Sequence, residues 1–171
     1  MTVLHRQAIS IVADQPLPDG TRLSVEHSPS PLFQFGFLLP VEIAIAEAFR
    51  DVVVSSFQAV TVKAVLDTGA TITSIDINVA QYLNLQVTGW SRSLTASGSH
   101  EMPSFAVDVS FPGTKLRPFY NLQIGSCNLD FKLNTNDPQK SEGLGLLIGR
   151  DMMTRWNIVW NGPSSTVIIC D

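Results

Sequence analysis

One carboxylate stands out among the residues whose chemistry could matter. Asp67 ends the apolar run Val60-Thr61-Val62-Lys63-Ala64-Val65-Leu66 and opens the tetrapeptide Asp67-Thr68-Gly69-Ala70. Such a run reads as a buried strand, so the acid is presented where a strand turns sharply and the strand supplies it with no cationic partner. A carboxylate in that setting must be hydrogen-bonded, share a proton or bear a desolvation cost. Gly69 gives the turn a position without Cβ, which lets the chain double back and lets backbone or ligand come close. Thr68 adds a short hydroxyl beside the acid. An Asx-turn closing a strand would use the same letters for structural reasons alone, so a second landmark is needed.

That landmark is Leu146-Leu147-Ile148-Gly149-Arg150-Asp151-Met152-Met153, an apolar strand ending in glycine, then a polar pair and a helical turn. Together the two segments resemble the retropepsin-like (retroviral-type) aspartic proteases. In that family a hydrophobic-hydrophobic-Asp-Thr-Gly-Ala motif is followed, after a flap hairpin, by a hydrophobic-hydrophobic-Gly-Arg-Asp/Asn segment and a short helix. The resemblance covers roughly residues 41 to 171. It implies an all-β, single-domain, closed β-barrel-like acid protease fold with a flap hairpin and one or two short helices. The implied activity is endopeptidase cleavage of extended peptides by general acid–base catalysis, with no metal, no cofactor and no covalent intermediate. The alternative is a catalytically silent dimeric peptide-binding module on the same fold; an intact Asp-Thr-Gly favours the enzyme, because a binding module has no need to keep a costly like-charge pair.

The resemblance also assigns roles. Asp67 from each of two copies forms the dyad that activates water, and Thr68 hydrogen-bonds across the twofold axis. Gly69 offers its carbonyl to substrate backbone, and Ala70 packs at the base of the cleft. The hairpin tip Thr95-Ala96-Ser97-Gly98-Ser99 closes over bound peptide. Gly149 lets its strand pass close to the active-site turn, and Arg150 braces the polar region near the dimer interface. In the viral enzymes an acid just after the motif meets that arginine. Here Thr71 and Ile72 occupy those positions, so Asp151 or another acid is expected to take the part.

Hydrolysis of this kind needs two carboxyls within hydrogen-bonding reach, one ionised to take a proton from water and one protonated to polarise the scissile carbonyl. The chain has one Asp-Thr-Gly, no internal repeat, and in Asp19-Gly20-Thr21 neither the residue order nor the apolar strand. The second aspartate is therefore expected from a second copy, which makes a twofold homodimer the smallest active unit.

The elements that must position these groups follow from pattern. Val41 to Ala46 alternates as a strand, although its alanines and its glutamate leave a helix open. Thr71 to Ile75 is β-branched and strand-like. Asp76 is a candidate N-cap for a short helix through Asn84, with Val79, Ala80 and Leu83 on one face. Ser91 to Phe111 has the pattern of a long hairpin whose second arm, Phe105 to Phe111, alternates apolar with small or polar residues. Further strands are expected over Leu116 to Ile124 and Asn128 to Leu133, and Asn134 to Gly143 is a polar loop. Asn157 to Trp160 and Thr166 to Ile169 read as a closing hairpin. Residues 1–40 hold five of the ten prolines and only short apolar pieces. They read as an extension to the domain at 41–171, either wrapping its core irregularly or serving as a removable prosegment or dimer-bracing arm.

Composition narrows the partners. With 171 residues, 44% of them hydrophobic, the chain can build one substantial core. A net charge of −4 with scattered Lys and Arg argues against nucleic acid. No apolar run suits a membrane span, and the first residues lack a signal-peptide pattern, so a cytoplasmic setting is expected. Cys127 and Cys170 are then expected to be free thiols rather than a disulfide. Neither has metal-ligand spacing with His5, His27 or His100, and His100 reads as a solvated loop residue rather than a catalytic base.

Overall fold

The computed structural model describes residues 3–8, 36–51, 58–95, 98–132, 134, 142–161 and 166–170. Most of the N-terminal extension and of the polar loop after Asn134 therefore lies outside the described residues. In chain order the elements are strands β1 (Val3–Ala8), β2 (Leu38–Ile45), β3 (Ala59–Leu66) and β4 (Ser74–Asp76), helix α1 (Ile77–Tyr82), strands β5 (Val87–Thr95), β6 (Gly98–Ser110), β7 (Phe119–Cys127) and β8 (Leu144–Ile148), helix α2 (Arg150–Met153), and strands β9 (Asn157–Asn161) and β10 (Thr166–Cys170).

The chain divides into two compact units. The smaller, Met1–Phe37 with Trp156–Asp171, contains an antiparallel sheet in the order β1-β10-β9. The expected closing hairpin is β9 with β10, in register from Thr166 opposite Asn161 to Cys170 opposite Asn157. Within the N-terminal extension, Val3–Ala8 is a strand that pairs β10.

The larger unit, Leu38–Arg155, holds the remaining strands in the order β2-β3-β8-β4-β7-β6-β5. A further pairing of β2 with β6, Glu42 opposite Ser110 to Ile45 opposite Val107, joins the two sides. Six strands thus form a closed ring, with β5 attached outside it along β6. Closure removes the free edges that would otherwise invite aggregation. Alternation explains the interior. Leu39, Val41, Ile43 and Ile45 of β2, Val60, Val62 and Ala64 of β3, and Phe105, Val107 and Val109 of β6 are all buried, with polar or small residues between them. Each Val, Leu, Ile or Phe among them contributes on the order of 1.5–3 kcal/mol by leaving water. That burial also decides residues 41–45 in favour of strand, because a helix would bring Glu42 onto the face that carries its apolar neighbours.

A buried charge on β6 departs from the pattern. Asp108 of β6 is 6% exposed. It is compensated by Arg50, whose Nη2 donates to its Oδ2 at 2.8 Å, and by the Asn121 N–H, which donates to its Oδ1 at 2.9 Å. Elsewhere the boundaries shift. The hairpin begins at Val87, four residues before the expected start, and β7 begins only at Phe119. Asn128 to Lys132 is not a strand, and Leu133 lies outside the described residues: Lys132 makes an isolated bridge to Glu142, and the preceding residues are held in another way. The buried Asp76 carboxylate takes the Leu129 N–H at 2.6 Å, and Asp130 adopts a left-handed φ of 61°. Asp76 also caps α1 through the Asn78 N–H at 2.8 Å, and Val79, Ala80 and Leu83 are buried, as expected of that helix. Among the described residues no helix is long and apolar enough to cross a membrane.

Candidate active site

β3 runs parallel to β8, with Leu66 opposite Ile148, so the residues that follow the two strands emerge side by side. The Asp67 N–H continues the ladder by donating to the Ile148 carbonyl at 3.0 Å. The chain then turns: the Gly69 N–H donates to Asp67 Oδ1 at 2.8 Å, and the Ala70 N–H to the Asp67 carbonyl at 3.1 Å. The first of these is an Asx-turn, which fixes the acid's orientation through one oxygen and leaves Oδ2 without a partner among the described residues. A Cβ on Gly69 would sit 3.0 Å from Oδ1 and crowd the carboxylate. Asp67 is half-buried, while Thr68 and Gly69 are exposed.

The segment after β8 grips this turn from the other side. The Arg150 N–H donates to the Ala70 carbonyl at 3.0 Å and the Asp151 N–H to the Thr71 carbonyl at 3.2 Å. The Arg150 guanidinium donates through Nη1 to the carbonyls of Thr68 at 2.6 Å and Gly69 at 3.3 Å, and through Nη2 to Thr71 Oγ1 at 2.9 Å. The expected acidic partner of Arg150 is therefore absent among the described residues, and Asp151 does not fill the role. Three oxygens of the turn satisfy the guanidinium instead, and an acid at position 71 or 72 is not required.

Asp151 has a different task. Its Oδ1 accepts from the Thr73 N–H at 3.0 Å, the Thr73 hydroxyl at 2.7 Å and the Met152 N–H at 2.9 Å. Its Oδ2 accepts from the Thr73 N–H at 2.9 Å. Thr73, fully buried, also accepts from the Gly149 N–H at 3.0 Å. One hydroxyl thus bridges the two landmarks. Gly149 must be glycine for this approach, since a Cβ there would lie 2.5 Å from the Ile72 carbonyl carbon. Nothing in the sequence marked Thr73 beyond its β-branched neighbours, which suggested a strand from Thr71; β4 begins only at Ser74 because Thr73 is engaged by Asp151.

A cavity of about 420 Å³ opens beside the turn. Asp67, Gly69 and Ala70 line it, together with Arg92 from β5, Cys127 at the end of β7 and Asn128-Leu129 just after it. Of the expected hairpin-tip residues, Ala96 and Ser97 lie outside the described residues, Thr95 ends β5 and Gly98 begins β6 with a φ of 120°. Gly98 and Ser99 do not line the cavity. Sequence reading overlooked Arg92, which carried no motif, and took Asn128 and Leu129 for strand residues. Cys127 is a free thiol. Burial, with the Asp76 carboxylate adding to it, pushes this thiol up to about 12, so it stays protonated at neutral pH. No group of three or more His, Cys, Asp or Glu among the described residues is arranged to hold a metal ion.

A family model described as aspartyl protease matches residues 52–152, well over half of the chain. Among solved structures, a retropepsin-like aspartic protease from Rickettsia conorii is 19% identical, with a TM-score of 0.43, over 78% of this chain and 88% of that one. The retroviral protease-like domain of Ddi1 from Leishmania major is 17% identical, with a TM-score of 0.39, over 78% of this chain and 89% of that one. No curated protein matches the chain.

Proposed function

The chain belongs to the aspartyl protease family, and from that premise we propose that it is an aspartic endopeptidase whose dyad is assembled from Asp67 of two copies. The observation that carries the reading is the state of Asp67: half-buried, lining a cavity of about 420 Å³, tied through Oδ1 alone and without an ion pair among the described residues. A carboxyl so held has one oxygen left for water or for a second carboxyl. With one Asp-Thr-Gly per chain, that second carboxyl comes from another copy. Thr68 supports the arrangement, because its side chain is exposed beside Asp67 while its carbonyl is held by Arg150.

In the proposed reaction the ionised Asp67 takes a proton from water, and the water oxygen bonds to the scissile carbonyl carbon. The protonated Asp67 of the second copy gives its proton to the carbonyl oxygen, forming a tetrahedral diol. The Asp67 that took the proton from water then gives it to the amide nitrogen as the C–N bond breaks, and a diol hydroxyl gives its proton to the other Asp67, leaving a carboxylic acid, an amine and the dyad with one shared proton. The β5–β6 hairpin, two-stranded where Trp90 to Thr95 faces Gly98 to Pro103, would serve as the flap that excludes water from this step.

Purified protein incubated with a denatured protein mixture from about pH 4 to 7 tests the reading, because two neighbouring carboxyls that share one proton give a bell-shaped profile on the acid side of neutrality. A pepstatin-type inhibitor should abolish cleavage and a chelator should leave it unchanged. Inhibition by the chelator, or a rate still rising at about pH 9, contradicts the mechanism.

A further inference from the structure

We propose that the cleft beside Asp67 carries an acid-selective subsite in which Arg92 binds a carboxylate side chain of the substrate; the inference rests on reading the cleft as a peptide site. Of the residues lining the cavity, Asp67 and Arg92 alone are charged. Arg92 lies on β5 with Glu101 directly opposite on β6. Opposite charges at such a position commonly pair across an antiparallel ladder. Here Arg92 has no ion-pair partner among the described residues, and the residue lines the cavity. A guanidinium carries five N–H donors in a planar fork matched to a carboxylate. No protein acceptor meets that fork among the described residues.

Asn128 supplies a second donor. Its Oδ1 accepts the Asp130 N–H at 3.1 Å, which orients the amide and leaves its NH₂ group for the cavity that Asn128 also lines. Ile72, Leu129 and Leu147 form apolar lining in the same cavity and suit the methylenes of a glutamate. Charge orders the occupant: an acidic side chain is repelled at the Asp67 end and attracted at the Arg92 end, while a lysine meets the opposite field. Glu or Asp is therefore preferred over Gln, and Gln over Lys, at one position of the peptide. Since Arg92 is exposed, the preference is on the order of two- to fivefold between Glu and Gln. Contact with a side chain rather than with the reacting carbonyl places the effect in KM.

The test separates binding from turnover. Full-length Asp67→Asn protein is used to select binders from a positional library of extended peptides, and the selected peptide is remade with Glu, Gln and Lys at the enriched position. The expected result is enrichment of Glu and Asp at one position, loss of the Glu-over-Gln ratio in the Arg92→Gln background and inversion towards Lys in Arg92→Glu, with circular dichroism confirming that each variant folds. Absence of acidic enrichment at every position, or an enrichment unchanged by both Arg92 substitutions, overturns the subsite. Wild-type protein is then assayed for cleavage of the same peptides. Acid-selective binding without cleavage supports the subsite and counts against the endopeptidase, whereas cleavage indifferent to Glu, Gln and Lys counts against the subsite and leaves the endopeptidase standing.

Discussion

At Asp67 a single hydrogen bond separates two functions of one side chain. Oδ1 holds the turn through the Gly69 N–H, and Oδ2 is left for chemistry. Asp67→Asn keeps the Oδ1 acceptor and nearly the same volume while removing the ionisable group. Activity should fall by several orders of magnitude, and the unfolding free energy from urea titration should stay within about 0.5 kcal/mol of wild type, as for a substitution that leaves no donor unpaired. Cleavage near the wild-type rate in a preparation free of contaminating protease would sink the assignment. Cys127 lines the same cavity and behaves in the opposite way, its thiol pushed up to about 12 by burial and by Asp76. The folded state therefore favours the protonated thiol. That stabilisation is complete below the unfolded thiol's pKa of about 8.5 and is lost as pH rises towards the folded value. Site-resolved alkylation by iodoacetamide should be much slower at Cys127 in folded than in urea-unfolded protein at neutral pH. Cys127→Ser should also lose less stability than wild type as pH is raised above about 8.5.

Between elements, the feature that fixes the segment after the Asp67 turn is the clasp formed by Thr73, Asp151 and Gly149. Thr73→Val keeps the shape but removes a hydroxyl that donates to Asp151 and accepts from the Gly149 N–H, leaving that buried donor unsatisfied. Unfolding free energy should drop by about 1–3 kcal/mol. Thr73→Ser should restore most of it, and urea unfolding of the three proteins decides between a hydrogen-bonding and a packing role. How much of this was legible in the sequence depended on period. β2, β3 and β6 bury one face each, so Val41, Val62 and Val107 announce themselves by alternation, and the Asp67 turn follows from where β3 ends. Asp76 was legible as a cap because capping is local. The clasp was not, because the hydroxyl, carboxylate and N–H that compose it lie far apart in sequence and meet only through the pairing of β4 with β8. Arg150 was expected to seek an acid for a related reason: side-chain charge is visible in a sequence, whereas the carbonyls of Thr68 and Gly69 that await a donor become visible only once the turn is formed. The segment after Cys127 was misread because strand propensity near Leu129 yields to the carboxylate of Asp76, again a distant partner.

For the whole molecule, the proposed dyad would make association part of the chemistry, because the chain carries one Asp-Thr-Gly. If each copy supplies one carboxyl, specific activity should fall as protein is diluted through the dimer dissociation constant, with the rate varying roughly as the square of concentration below it. Mixing provides the sharper measurement. Wild type combined with excess Asp67→Asn chains should lose activity in proportion to the wild-type chains captured in heterodimers, because a heterodimer holds one ionisable aspartate and cannot divide the roles of acid and base. Thr68→Ala, which removes an exposed hydroxyl beside the acid, should shift the dilution curve to higher concentration while leaving thermal unfolding of the isolated chain nearly unchanged. Sedimentation velocity and activity measured on the same dilution series connect the two quantities. Should activity per chain stay constant where sedimentation reports only monomer, the shared dyad is wrong, and a second carboxyl within the same chain must be doing the work that the twofold axis was assigned.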